Sequence, residues 1–284
     1  MRGNVRVELV LPFGLRDPRG RSVRTAALIP ITGHGELFGA EDANPFRAVL
    51  HLLAASTLEL GPFHGADIEP ALLGRLLPVD RDYLVLHLHR VTFGDVRYHT
   101  VECPQADCRR RLDIRFALSS AEPPRVPDQA GGTIALPGGR LVRFRLPVAD
   151  DQAALHGVPL AELEAAFLQR CVPGEPDDDR HVGWSELLEM PAPVRADVVK
   201  RIVAASPEID LAVALECVQC RRPFRFVFDP VVSLLAELKA SRTELIRQVH
   251  RLALSYHWSH AEILGLPRAL RHDYLQLLGE EPAR

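Results

Sequence analysis

The alternation of apolar and polar residues predicts strands in the first part of the chain, and helical spacing predicts helices near its end. Residues 4–13 and 84–89 alternate as strands do, and a turn at 93–95 leads from the second run into a partner strand. From residue 230 onward the apolar residues recur on one face of a helix: Leu245, Ile246, Val249, Leu252, Ala253 and Tyr256. We therefore expect an α+β fold with a mixed N-terminal lobe and a helical C-terminal region.

Prolines, glycines and capping residues divide the chain further. Residues 119–139 contain four prolines and four glycines and predict a loop. The helical stretch at 184–205 contains two prolines near its middle, which should break it into two helices. Ser259 and Glu262 have the spacing of a capping box and predict the start of a short helix.

Two cysteine pairs lie in segments whose flanking residues match. Cys103 and Cys108 follow Val-Glu, Cys217 and Cys220 follow Leu-Glu, and an arginine-rich alternating run comes after each pair. Each segment predicts a β-hairpin with two thiols at its turn. Four thiolates are the ligand set of a tetrahedral structural zinc ion. The sequence therefore predicts a zinc ribbon built from two distant β-hairpins.

The spacing of the two pairs is unusual for a ribbon. We call each cysteine pair with its turn a knuckle: Cys103 to Cys108 is the first and Cys217 to Cys220 the second. The two knuckles of a zinc ribbon usually lie about 15–20 residues apart, whereas more than 100 residues separate Cys108 from Cys217. An inserted lobe must therefore leave and return beside the first hairpin. The alternative is two unrelated pairs of buried thiols. The chain has five cysteines, an odd number that argues against a disulfide framework, and Cys171 is interpreted as a core thiol.

The two hairpins divide the chain into three predicted parts. Residues 1–118 form an N-terminal α+β lobe that ends in the first knuckle, residues 119–210 form an inserted strand–helix lobe, and residues 211–284 hold the second knuckle and the C-terminal helices. A zinc site closed by four protein ligands leaves no position for substrate, so the metal is expected to stabilise the fold rather than to act in catalysis.

Composition and charge exclude several classes of function. The formal net charge of −3 over 284 residues produces no global field that attracts nucleic acid or membranes. We expect no membrane span, because no apolar run reaches about 20 residues, and no secretory signal, so assembly in the cytoplasm is expected. The sequence lacks the nucleophile-elbow, phosphate-loop and HExxH motifs, and we expect no enzymatic activity.

Residues 256–268 read Tyr-His-Trp-Ser-His-Ala-Glu-Ile-Leu-Gly-Leu-Pro-Arg. This stretch resembles the C-terminal signature of the baseplate-hub assembly proteins of T-even-like contractile phages, which have relatives encoded with bacterial contractile injection systems. Such sequences pair the signature with an upstream CxxC like that of Cys217 and Cys220. The resemblance extends to residues 32–36 and 80–86. The chain departs from the family at His260, where an acidic residue is expected, and in its wide first knuckle.

The resemblance implies a non-enzymatic structural or assembly protein of a contractile-tail baseplate, whose partners are baseplate or hub proteins. This role fits either a protein that remains in the finished particle or an assembly factor that leaves it. The final helix carries apolar residues that form either a partner-binding face or part of the core: Leu266, Leu270, Tyr274, Leu277 and Leu278. The aromatic residues at 256 and 258 are expected to pack a corner between helices.

The alternative function is that of a zinc-ribbon nucleic-acid-binding protein. Arginines beside the knuckles would contact phosphates: Arg109, Arg110, Arg111, Arg221, Arg222 and Arg225. The opposing interpretation is that these arginines offset the negative charge of a zinc–tetrathiolate centre. His87 and His89 are expected on one strand face, where they are surplus to the four cysteines.

Overall fold

A computed structural model describes residues 6–16, 22–39, 43–121, 129–175 and 178–280. Within these ranges the chain forms four antiparallel sheets and eleven α-helices. The strands are β1 (Val7–Arg16), β2 (Ser22–Leu28), β3 (Thr57–Leu60), β4 (Phe63–His64), β5 (Val96–Glu102), β6 (Arg111–Ala117), β7 (Gly131–Ala135), β8 (Leu141–Arg145), β9 (Ala212–Glu216) and β10 (Pro223–Val227). The helices are α1 (Gly33–Gly39), α2 (Pro45–Ser56), α3 (Pro70–Leu73), α4 (Pro78–Phe93), α5 (Ala149–Leu155), α6 (Leu160–Cys171), α7 (Trp184–Glu189), α8 (Ala192–Ala205), α9 (Pro230–Tyr256), α10 (His260–Gly265) and α11 (Arg268–Glu280). The expected α+β class, with small hairpin sheets and a helical C-terminal region, is confirmed.

The first hydrophobic core lies between a four-stranded sheet, in the order β1-β2-β3-β4, and the helices α2, α4 and α9. Leucines from the sheet and from the helices α2 and α4 fill it: Leu11, Leu28, Leu53, Leu60 and Leu84. Burying each of them contributes about 2 kcal/mol. Leu234 and Leu238 of α9 belong to the same core. The N-terminal sheet is therefore covered in part by a helix from the end of the chain.

Asp80 supports an irregular part of β1. The pairing of β1 with β2 shifts register between Val10 and Leu15, and Gly14 within that interval has a φ of 84°. The Asp80 carboxylate accepts the backbone N–H groups of Phe13 and Gly14, each at 2.8 Å. Burial raises the pKa of this carboxyl to about 6. The two amides that the bulge removes from the sheet are thus hydrogen-bonded inside the protein.

The strand predicted at residues 84–89 is wrong, because these residues lie in α4. Pro78 occupies the first turn of this helix, and Gly94, with a φ of 94°, ends it. Helix α4 is buried on several sides, so its apolar residues follow no single face, and a short apolar run does not separate a buried strand from a buried helix. His87 and His89 therefore point to different sides of a helix. The strand that follows the turn at 93–95 is confirmed as β5.

The loop predicted at 119–139 contains a strand. Strand β7 pairs with β8, and its Ile134 is buried. Residue 131 of this strand is a glycine because a Cβ there would lie 2.2 Å from the Phe144 carbonyl oxygen, which is too close for any other residue. Its glycine therefore reflects close packing rather than a turn. Residues 122–128 of the predicted loop lie outside the described residues.

A second core lies among β7, β8 and the helices α6 to α8. Its fully buried members come from β8, from α6 to α8 and from α4: Val142, Leu168, Cys171, Leu187, Val198, Ile202 and Val79. Cys171 is the core thiol that the sequence predicts, and burial raises its pKa to about 11. The predicted break in the stretch 184–205 is confirmed, since α7 ends at Glu189 and α8 begins at Ala192.

Capping residues set the bounds of the C-terminal helices. The Asp229 carboxylate accepts the backbone N–H of Val232 at the start of α9. His257, with a φ of 55°, ends that helix in the left-handed conformation. The predicted capping box is confirmed: the Ser259 hydroxyl accepts the N–H of Glu262, whose carboxylate accepts the N–H of Ser259.

The C-terminal helices leave apolar residues on the surface. The rings of Tyr256, Trp258 and Tyr274 pack against one another at the corner, as predicted. The predicted face of α9 is buried at Leu245 and Leu252 but not throughout, since Ile246 is 50% exposed. On α11, Leu270 and Leu277 are exposed, whereas Leu266 before it and Tyr274 and Leu278 within it are half-buried.

A buried ion pair joins α1 to α11. Glu36 and Arg271 are 1% and 0% exposed, and the Arg271 guanidinium donates to the Glu36 carboxylate. Arg271 also donates to the Leu266 carbonyl at 2.6 Å and to the Gln248 side chain at 3.2 Å. A second arginine, Arg268, donates to Glu36 at 3.2 Å. The two stretches 32–36 and 256–268 therefore meet around one buried carboxylate.

Replacing Glu36 with glutamine should lower the free energy of unfolding by about 3–5 kcal/mol, because it leaves the Arg271 charge buried without its partner. The matched control is Glu186→Gln, which breaks the exposed pair with Arg140 and should have a much smaller effect, because solvent screens an exposed pair. Urea unfolding of both variants measures the two losses. Equal small losses would contradict the burial of the Glu36–Arg271 pair.

Candidate metal centre

Two β-hairpins carry the four cysteines at their turns, as the sequence predicts. Strands β5 and β6 form the first hairpin, and β9 and β10 form the second. Beyond the last strand pairs, the Cys103 N–H donates to the Arg110 carbonyl at 2.8 Å, and the Cys217 N–H donates to the Arg222 carbonyl at 3.1 Å. The two turns are therefore closed by equivalent hydrogen bonds.

The turns also end in the same way, although the first is two residues longer. Arg109 and Arg221, which directly follow the second cysteine of each pair, have φ values of 50° and 58°. Residues other than glycine seldom adopt this left-handed conformation. Both turns therefore end in the same backbone conformation, although the first knuckle is wider than the second.

The turns bring all four thiols together. The four Sγ atoms lie within 4.8 Å of one another. The Sγ atoms of Cys103 and Cys220 are 3.8 Å apart, and those of Cys108 and Cys217 are 3.6 Å apart. Four sulfurs placed tetrahedrally at 2.3 Å from one metal ion are separated by about 3.8 Å. The four cysteines can therefore hold a metal ion, and each of these close contacts joins one hairpin to the other.

Burial and backbone amides act on the thiols in opposite directions. Burial raises the pKa of the Cys103 thiol to about 12. The backbone N–H groups of Cys220 and Gln219 lower the pKa of the Cys217 thiol to about 6, because they donate hydrogen bonds to its thiolate. A bound cation would deprotonate all four thiols. The same amides then offset part of the negative charge of the tetrathiolate.

Arg222 joins the two knuckles outside the thiol cluster. Its guanidinium donates to both carboxylate oxygens of Asp107, at 2.9 and 3.0 Å, and to the Gln105 side-chain oxygen at 3.0 Å. Both acceptors lie between the two cysteines of the wide first knuckle. The additional residues of that knuckle therefore supply acceptors for a bidentate contact with the second hairpin.

Most of the arginines beside the knuckles are paired with carboxylates. Besides Arg222, three of them make ion pairs within their own hairpins or just before them: Arg109 with Glu102, Arg221 with Glu216, and Arg225 with Asp210. Arg110 and Arg111 are exposed and make no ion pair within the described residues. The positive charge expected of a phosphate-binding patch is thus largely neutralised.

The base of the two hairpins rests on an aromatic cluster. His99 and Phe116 of the first hairpin contact Phe226 and Phe228 from the second. The hairpins therefore contact each other at both ends, through thiols at the turns and through rings at the base. The ring cluster belongs to a third, smaller core that includes Leu86 of α4.

An ion network below these rings, in which His89 and Arg97 are buried and Glu237 is half-buried, is not evident from the sequence. The Glu237 carboxylate lies 2.7 Å from His89 Nε2 and 2.6 Å from an Arg97 nitrogen. Burial acts against its charge, but hydrogen bonds from His89 and the Arg97 guanidinium hold the pKa of Glu237 below its usual range. His89 is thus a structural partner of α9 and does not join the cysteines. No local pattern connects these residues, because Glu237 lies 140 residues beyond Arg97.

The site and the fold together define an α+β protein with a four-cysteine cluster able to hold a metal ion. The sequence matches no protein-family model, and neither a curated protein nor a solved structure matches the chain. Among the described helices, none is both long enough and apolar enough to cross a lipid bilayer.

Replacing Cys217 with serine should lower both the metal content and the yield of folded protein, because metal binding at such a site is coupled to folding. The control is Cys171→Ser, which leaves all four ligands in place and should keep the metal content of the unmodified protein. Elemental analysis of the purified variants measures the metal. Equal metal content and equal yield in both variants would show that the cluster does not stabilise the fold.

Replacing Arg222 with alanine should accelerate metal release to a chromogenic chelator, because it removes the bidentate contact that holds the second knuckle to the first. Arg225→Ala is the control, since Arg225 pairs with Asp210 away from the turns. Exchanging the charges, with Asp107→Arg and Arg222→Asp together, should restore part of the slower rate. Equal release rates from the two single variants would contradict the role of Arg222.

Proposed function

We propose that the protein is a non-enzymatic structural or assembly component of the baseplate of a contractile phage-tail-like particle, with a structural zinc ion in its four-cysteine centre. The observation that carries the metal assignment is the meeting of two distant cysteine pairs at tetrahedral spacing. The observation that supports the baseplate assignment is the contact between the two stretches that resemble the hub assembly proteins.

Zinc is the metal that this ligand set favours. Four thiolates in tetrahedral geometry are typical of zinc or iron sites, and a site with four protein ligands stabilises structure rather than binding substrate. Cys103 and Cys217 are fully buried, while Cys108 and Cys220 are half-buried. Zinc here would join the chain before and after the inserted lobe, which is a structural role.

The baseplate assignment is supported by the arrangement of the family-like stretches. Residues 32–36 supply the buried Glu36, and residues 256–268 supply Arg268, which donates to it. Thr32 also forms an isolated β-bridge with Pro267. Their contact gives a physical reason for the two stretches to occur in one chain, and it favours treating them as one unit. We propose assembly in the cytoplasm, with a baseplate or hub protein as the partner.

The partner-binding face that we propose is the outer side of α11. Arg271 fixes the inner side of this helix, yet Leu270 and Leu277 remain 36% and 53% exposed. Apolar residues that stay outward on a firmly anchored helix favour an interface over further core packing. Nucleic-acid binding is less well supported, because carboxylates pair with four of the six arginines beside the knuckles.

The metal assignment is tested by elemental analysis of protein purified under reducing conditions. We expect about one zinc ion per chain, as the four-ligand site requires. Iron in its place would show as visible absorption and would correct the identity of the metal. The absence of any metal from folded protein would exclude a metal-stabilised ribbon.

The baseplate assignment is tested by Leu277→Glu, which places a charge on the outer side of α11 without touching Arg271. We expect folded protein, with normal zinc content, that no longer co-purifies with baseplate proteins encoded by neighbouring genes. Val227→Glu is the control, because Val227 is 69% exposed on β10, away from α11. Unchanged co-purification of Leu277→Glu would remove the proposed interface, and salt-sensitive retention on DNA would favour the alternative function.

A further inference from the structure

A polar cleft of about 840 Å³ lies over the hairpin of β7 and β8, facing the segment that follows α6. It shares no residue with the four-cysteine centre. The described residues that line it include no carboxylate, but they include three arginines: Arg143, Arg145 and Arg170. His181 also lines the cleft, and its ring is paired with Asp178 at 2.8 Å. Thr133, Gln129 and Gln169 add neutral polar groups. The cleft is therefore suited to an anionic, hydrogen-bonding ligand.

A buried carboxylate below the cleft positions two of the arginines. Asp151 is 2% exposed, and Arg145 donates to its two oxygens at 2.6 and 2.9 Å. Arg170 donates to one of the same oxygens at 3.2 Å. Although burial opposes its charge, Arg145 and the backbone N–H of Val148 hold the pKa of Asp151 below its usual range. The Asp151 carboxylate thus holds two guanidinium groups close together. The one positive charge that it does not neutralise faces the cleft.

Arg170 retains most of its hydrogen-bonding capacity. A guanidinium has five N–H donors, and the bond to Asp151 is the one hydrogen bond that the Arg170 side chain makes among the described residues. The side chain is 36% exposed. A planar guanidinium held by one edge can offer the other edge to a phosphate in a bidentate contact.

We propose that this cleft binds a small phosphorylated ligand with at least two negative charges, of the sugar- or polyol-phosphate class. The volume lies within the range of about 300–1,000 Å³ typical of small-molecule sites. Phe144, the one phenyl ring in the described lining, is 9% exposed, so it offers no open face on which a nucleobase could stack. The polar side chains fit hydroxyl groups instead.

The test is calorimetric titration of fructose 1,6-bisphosphate into the metal-loaded full chain at constant ionic strength. We expect saturable binding at one site, competition by inorganic phosphate, and no tighter binding of ADP. Arg170→Gln should raise the Kd at least about tenfold through loss of a charged hydrogen-bond donor. Arg201→Gln, which removes an exposed arginine of α8 that pairs with Asp197, should leave the Kd unchanged.

Several outcomes would overturn the proposal. They are the absence of saturable binding, equal affinities in the Arg170→Gln and Arg201→Gln variants, and binding that responds only to total salt. Tighter binding of ADP than of the bisphosphate would exclude the sugar-phosphate class. If Arg170→Gln does not fold, Arg170→Lys keeps the charge but loses the planar fork, and an unchanged Kd in that variant would equally overturn the proposal.

Discussion

The contact between the two cysteine knuckles is the constraint on which the path of the chain depends. Cys108 and Cys217 are separated by 109 positions in sequence and by 3.6 Å in space. Holding the ends of a loop of about 100 residues together costs several kcal/mol of chain entropy. Four thiolates around one cation can supply that free energy, and the aromatic cluster at the base of the hairpins adds apolar burial. Most of the second core comes from residues between the two knuckles, and Phe13, Leu77 and Val79 join it to the N-terminal part of the chain.

Ion pairs that each contain at least one buried side chain determine which distant segments meet elsewhere in the fold. Glu36 with Arg271 joins α1 to α11, Glu237 with Arg97 and His89 joins α9 to the first hairpin, and Asp151 joins α5 to β8 and α6. The desolvation of such pairs offsets much of their mutual attraction. An unpaired member would be far more costly, so each pair disfavours other ways of packing the same helices. In this respect they differ from the exposed pairs beside the knuckles, which are screened by solvent.

Sequence patterns predicted the parts of the fold that depend on local chemistry. The hairpins followed from period-two alternation around the cysteines, and the bounds of α9 and α10 followed from Asp229 and Ser259. Helix α4 was not recovered, because a helix buried on several sides shows no amphipathic period. The strand β7 was hidden by glycines that serve packing against Phe144. The partners of Glu36 and Glu237 could not be inferred, since no motif marks these charged residues as the cysteine spacing marks the two knuckles.

The first core contains residues from both the N-terminal sheet and α9. This limits how early the protein can fold during its synthesis. At about 5–20 residues per second, the first hairpin leaves the ribosome roughly 5–20 s before the second, which lies 109 positions later. During that interval two thiols are available, which is half of a tetrahedral site, and they bind a metal ion only weakly. The N-terminal sheet meanwhile lacks Leu234 and Leu238 of α9. The metal centre is therefore completed only after Cys220 has emerged, and the first core only after Leu238 has emerged.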